Sequence, residues 1–198
     1  MQRRPLYVEA HATTTHTGLR TMKTPLVLIA LACCLVATAA AQDPATPVSD
    51  ALRSIEKRSG TNLVAAAEEM PAGKYGFKPT PAQMSFGKVI THLSGGNDFL
   101  CSTIAGVQAP KRAEVAEVAP KEKLVARLRE TFQFCESALA KVNDSDLGGK
   151  VPFFGEGKVS RGEAMFAAAE DWADHYSQLA IYLRLNGLLP PTAKGKQE

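Results

Sequence analysis

The chain has 198 residues, with 23 lysines and arginines against 20 aspartates and glutamates, 45% hydrophobic residues and four cysteines. Such a length and apolar content suit one ordinary globular domain with a core of its own. The near balance of charge, with no basic stripe, gives no electrostatic basis for binding nucleic acid or an anionic membrane surface.

The amino-terminal region carries signals of transport and not of folding. From Met22 the chain reads Met-Lys-Thr-Pro, then an apolar run from Leu26 to Val36, then Ala39-Ala40-Ala41-Gln42. A charged start, a greasy middle and small residues at a cleavage point make a secretory signal, so residues 22–41 are expected to be removed and the mature protein exported, periplasmic or secreted. Residues 1–21 show no periodicity and are expected to precede the true start at Met22. The apolar run is shorter than the roughly 20 residues a membrane span needs, and no later stretch approaches that length. A lipoprotein route through Cys33 or Cys34 lacks a convincing Leu-small-small sequence before either residue. Loss of residues 1–41 takes away Arg3, Arg4, Arg20, Lys23 and Glu9, which leaves 157 residues with 19 basic and 19 acidic side chains.

Residues 42–48, Pro-rich and without an apolar face, are expected to form a linker ahead of a domain at 49–192, with a tail at 193–198. Ser49 or Asp50 can cap a first helix, in which Leu52, Ile55, Leu63, Ala66 and Ala67 keep rough helical spacing past a weak point at Ser59-Gly60. Met70-Pro71 ends it. After Pro79-Thr80-Pro81, the residues Phe86, Val89, Ile90, Leu93, Asn97, Leu100, Cys101 and Ile104 fall on one face at spacings of three and four, and Gly106 stops this second helix.

Pro120 opens a third helix that turns Leu124, Leu128, Thr131, Phe132, Cys135, Leu139 and Val142 inward. Residues 143–159 read as a long Gly-rich loop with room for a short extended segment around Val151-Pro152-Phe153-Phe154. The aromatic residues Tyr75, Phe77, Phe153 and Phe154 are expected to plug the core and anchor loops. Ser160 with Glu163 three residues on is a capping-box start for a fourth helix, whose core face is Met165, Ala169, Trp172, Tyr176, Leu179 and Leu183. Gly187 and Pro190-Pro191 end it. Four long helices joined by long connections predict an all-α fold, a four-helix bundle.

The chemistry concentrates on helix edges. At 100° per residue, Asp171, His175, Gln178 and Tyr182 fall within an arc of about 60° beside the apolar stripe of the fourth helix. Asp171 and His175, four residues apart, project to nearly one point and can share a metal ion. His92 lies on the flank of the second helix, followed by Gly95-Gly96. Each mid-helix glycine costs about 1 kcal/mol relative to alanine, and the pair leaves a volume open beside His92. Close helix packing at the glycines is the plainer explanation. His92 and His175 are the only histidines that remain after residue 41. Three nitrogen and oxygen donors suit Zn, Ni, Mn or Fe and leave positions open for a substrate. Gln178 and Tyr182 are the expected substrate contacts. Cys101 and Cys135, the cysteine pair that remains after processing, are expected to form a disulfide between the second and third helices if the protein reaches an oxidising compartment. Two buried thiols are the alternative.

The run Met70-Pro71, Lys74-Tyr75-Gly76-Phe77-Lys78-Pro79-Thr80-Pro81, Ser85-Phe86-Gly87 and His92, and the ending His175-Tyr176, Gln178-Leu179 and Tyr182-Leu183-Arg184-Leu185-Asn186-Gly187, resembles the DinB-like (YfiT-like) metalloenzymes, in particular their exported branch. The resemblance implies an up-down-down-up four-helix bundle. It also implies a metal held by three histidines, one on the second helix and two four residues apart on the last. His92 and His175 match two of these, and Asp171 stands where the third would be. Some relatives are thiol transferases, so the resemblance implies a metal-dependent transferase or hydrolase acting on a small molecule. A non-catalytic binding bundle with a degenerate site is the alternative that Asp171 keeps open. Neither the substrate nor the oligomeric state follows from the sequence, and a homodimer stays open.

Overall fold

The computed structural model describes residues 46–155 and 157–194. The expected signal sequence, the stretch before it and most of the expected linker lie outside the described residues. Four long helices carry the fold: α1 (Pro47–Glu69), α2 (Phe86–Ala105), α3 (Lys121–Leu139) and α4 (Arg161–Leu185). None of the described helices is long and apolar enough to cross a membrane.

Helix directions follow from which residues meet. Along α2 and α3, Asn97 meets Thr131 and Cys101 meets Cys135, so the two advance together. Helix α4 runs against α2: Met84, just before α2, meets Tyr182, Asn97 meets Trp172, and Ile104 meets Arg161. Helix α1 runs against α3, with Arg53 reaching Leu139 and Val142 at one end and Glu68 pairing with Arg129 at the other. The topology is up-down-down-up, and α1 and α2 each pack mainly on α3 and α4. Leu63, Phe86, Leu93, Leu128, Trp172 and Leu179 are fully buried between the four helices.

Ser160 caps α4 as expected, accepting from the backbone N–H three residues on at 3.1 Å, and Ser85, which was not anticipated as a cap, does the same for α2 at 3.1 Å. Gly106, at φ 67°, closes α2 in the left-handed conformation that glycine adopts without strain. The start of α1 differs. It begins at Pro47, ahead of the expected Ser49 or Asp50 cap and inside the expected linker. Proline at the first turn loses no helical hydrogen bond. The free N–H groups of Val48 and Ser49 donate instead to the Asp144 carboxylate at 3.0 and 2.8 Å, and the Ser49 hydroxyl donates to it at 2.6 Å. The hydroxyl bond comes first among the causes that hold Asp144 below the usual carboxylate range.

The α3–α4 connection contains an antiparallel hairpin, β1 (Lys150–Pro152) and β2 (Lys158–Ser160), with Val151 opposite Val159. Tyr75 is a core plug as expected, its hydroxyl donating to the Ala67 carbonyl at 2.6 Å. Phe77 packs edge-on against Tyr182. Phe154 departs from expectation: it is 67% exposed and lies against Phe99 at the surface.

One buried acid was not anticipated. Glu56 on α1 is 5% exposed, and burial, reinforced by the Glu136 carboxylate, pushes its pKa up to about 7. An acid raised on folding holds a proton that the unfolded chain has already released. Its contribution is complete below the ordinary glutamate value of 4.5 and is lost as pH rises through 7. Glu56→Gln, which stays neutral, is therefore expected to gain stability over the parent between pH 4.5 and pH 8.5, by up to about 3 kcal/mol in urea titrations.

Candidate metal centre

A fully buried amide sets the register of the three helices around the site. The Asn97 side chain donates to the Thr131 hydroxyl at 3.1 Å and accepts from the Trp172 indole at 2.8 Å. With Asn97 level with Trp172 on antiparallel helices, His92 lies toward the start of α2 and His175 toward the end of α4. The two residues therefore arrive at one height. Their ring centroids are 4.9 Å apart, with the planes inclined at 38°.

Asp171 completes the group. One ligand atom from each of His92, Asp171 and His175 can be chosen so that all lie within 4.8 Å of one another. His92 is exposed, while Asp171 and His175 are half-buried. The His175 Nδ1 lies 2.7 Å from the Asp171 backbone carbonyl, which can only accept, so Nδ1 carries the hydrogen and Nε2 is left with its lone pair free. The same Nδ1 lies 3.3 Å from Asp171 Oδ1. The other oxygen, Oδ2, is buried without a hydrogen-bond partner. Burial raises the Asp171 pKa, and the neighbouring His175 and His92 oppose that rise. A stranded acceptor beside two imidazoles is a donor set that a divalent cation would satisfy.

The glycines leave space beside this group. A methyl group added at Gly95 would meet nothing within 4 Å, and one at Gly96 would lie 3.6 Å from Asp171 Oδ2, an ordinary contact. Close helix packing therefore does not explain the pair. Gly95 and His92 line an open cleft of about 640 Å³ between α2 and the α2–α3 connection. Arg112 crosses that cleft and is held by Asp98 at 2.8 Å and Glu130 at 3.3 Å. Asp171 lines a second hollow, along the outer side of α4.

Of the expected site residues, the structure brings together His92, Asp171 and His175. Gln178 and Tyr182 are bonded to one another. Tyr182 is buried in the core, and its hydroxyl donates to the Met84 carbonyl at 2.9 Å and accepts from Gln178 Nε2 at 3.2 Å. The helical wheel places Tyr182 on the same edge as Asp171, but the α1–α2 connection covers that end of the edge. Asn97 and Thr131 are the residues whose importance periodicity alone does not show. Their signal is a polar side chain in the middle of an otherwise apolar face.

Comparisons with known proteins place the chain among helical proteins of this kind. The family model of the DinB superfamily matches residues 57–179. A DinB-like protein from Bacillus subtilis superimposes with a TM-score of 0.60 at 17% identity, covering 74% of this chain and 99% of its own. A conserved protein from Enterococcus faecalis gives 0.57 at 17%, covering 69% and 95%. A DinB-like protein from Bacillus cereus gives 0.56 at 15%, covering 68% and 90%. No curated protein matches the chain.

The glycines provide a direct check. Gly95→Ala is expected to raise stability in urea unfolding by up to about 1 kcal/mol, since it improves helix propensity and meets nothing. Gly87→Ala is expected to lower it by about 1–3 kcal/mol, because the added methyl collides with the Glu117 carbonyl.

Proposed function

Because the chain belongs to the DinB superfamily, we propose that its mature form is an exported metal-dependent enzyme, a transferase or hydrolase, that binds one divalent ion through His92, Asp171 and His175. The observation that carries this reading is the unpartnered Asp171 Oδ2 beside two histidine rings in a site open to solvent. Export rests on the signal sequence at residues 22–41.

A divalent ion bound by these three residues would supply Lewis acidity toward a substrate oxygen, thiol or water. The protein's own groups do the rest. The Asp171 carbonyl fixes the His175 tautomer and leaves the Nε2 lone pair available. The Asp171 carboxylate brings the negative charge. The cleft beside Gly95 admits a small molecule to His92. Gln178 braces Tyr182, which anchors the α1–α2 connection at one end of the site. The competing reading is a non-catalytic exported bundle, and what favours it is the aspartate where the resemblance expects a histidine.

The two readings differ in their response to metal. Elemental analysis of protein purified without chelator is expected to show about one divalent ion per chain, and His175→Ala is expected to lose it. Ligand linkage gives about 2.7 kcal/mol at a hundredfold excess over Kd, so EDTA should lower Tm by about 5–10 °C. Metal-free protein that cannot be reloaded, with a Tm indifferent to EDTA and Zn, would establish the non-catalytic bundle.

We also assign a disulfide to Cys101 and Cys135, whose Cα atoms lie 5.2 Å apart across the α2–α3 seam at a sequence separation of 34. A bridge of that span stabilises by about 3–4 kcal/mol in the chain-entropy model. Thiol titration of denatured, unreduced mature protein is expected to find no free thiol. Two titratable thiols would refute the bridge.

A further inference from the structure

We propose that Asp171 makes this centre a two-histidine, one-carboxylate face whose selectivity is shifted from Zn(II) toward Mn(II) and Fe(II), relative to the three-imidazole site that the same backbone would otherwise build. The proposal rests on the metal-binding reading above and adds to it which ions the site is built to hold.

The argument starts from the donors. Imidazole nitrogen suits Zn, Ni and Cu as well as Fe, whereas carboxylate oxygen is a hard donor that suits Mg, Mn and ferrous iron. The general order, in which Zn(II) binds more tightly than Fe(II) or Mn(II), still applies to such a donor set. An oxygen in place of a nitrogen narrows that gap. The cysteines do not widen it again, since Cys101 and Cys135 face each other inside the α2–α3 seam.

The charge is also free to act on an ion. Among the described residues, no lysine or arginine pairs with Asp171, whose one ionic partner is His175. Arg112, the arginine in the adjoining cleft, is occupied by Asp98 and Glu130. Of the two carboxylate oxygens, Oδ1 sits by His175 Nδ1, and Oδ2 is the buried atom without a partner. One carboxylate oxygen is thus reserved within the protein and one is left to give.

The placement of the donors completes the case. All three come from the facing sides of α2 and α4 and gather within 4.8 Å of one another. Gly95, which has no neighbour within 4 Å of a would-be methyl, opens the side toward the cleft. Donors grouped on one side with the other side open are the arrangement of two-histidine, one-carboxylate sites for ferrous iron, in which several positions stay free for outside ligands.

The test compares the mature wild-type protein with Asp171→His and Asp171→Asn. Mn(II) binding is followed by loss of the free-ion EPR signal, and Zn(II) binding by competition with a chromophoric chelator. The ratio of Kd for Mn(II) to Kd for Zn(II) is expected to be at least tenfold larger in Asp171→His than in wild type. If both proteins bind both ions and the ratio rises by less than tenfold, the selectivity inference is overturned while the metal-binding reading stands. If neither protein binds either ion, the reading itself falls and the inference with it. Should thermal melting show that Asp171→His does not fold, Asp171→Asn, which keeps the shape and removes the charge, decides. It is expected to lose at least tenfold more affinity for Mn(II) than for Zn(II), and equal losses overturn the inference.

Discussion

Asn97 sits fully buried where α2, α3 and α4 meet, and both ends of its side-chain amide are engaged there, one by the Thr131 hydroxyl and one by the Trp172 indole. Hydrophobic contacts alone hold helices together while leaving them free to slide by a turn at modest cost. A buried amide does not allow that, because a slip would strand its donors and acceptor away from water. The hydrogen bonds fix which turn of α4 faces which turn of α2. His92 and His175 meet as a consequence, their ring centroids 4.9 Å apart. The Cys101–Cys135 seam, one turn beyond Asn97 and Thr131, repeats the same register between α2 and α3.

Around this fixed centre the protein tolerates polar groups that folding alone would not favour. Asp171 keeps a buried oxygen without a partner, and Glu56 keeps a buried carboxyl facing another acid. The two differ in kind. Glu56 lies between α1 and α3, away from the histidines, and simply reduces stability as the pH rises. Asp171 stands in the one place where a cation would satisfy it. Two helix-weakening glycines with nothing pressed against Gly95 belong with Asp171: they leave room where packing did not require it. A site that is unfavourable for the empty protein and favourable for the loaded one is what linkage between binding and stability produces.

Much of the architecture could be read from the chain itself. The apolar spacing on α2 and α3, the serine cap at Ser160 and the glycine at Gly106 are local signals, and the structure realises them within a residue or two. His92 and His175 were legible because the chain after residue 41 offers no other histidines and both lie on the margin of a core face. What escaped was set by distant parts of the chain. Tyr182 shares a helical edge with Asp171, but only the tertiary fold reveals that the α1–α2 connection closes over it. Asn97 and Thr131 look like ordinary members of an inward face until their partners are known. Glu56 carries no local mark at all, since its burial comes from the approach of α3.

The cap on α1 has a consequence for the order in which the molecule can be assembled. The carboxylate that receives the N–H groups of Val48 and Ser49 belongs to Asp144, nearly a hundred positions later. The main packing partners of α1 are α3 and α4, which follow it in the chain. A chain delivered from its amino end, whether by a ribosome or through a membrane channel, therefore presents α1 before the helices that support it. Until the far half arrives, this helix has an unsatisfied end and an apolar face without cover. Structure can begin earlier between α2 and α3, which are adjacent in sequence and share the asparagine and cysteine contacts. Helix α1 thus docks only after helices that follow it in the chain.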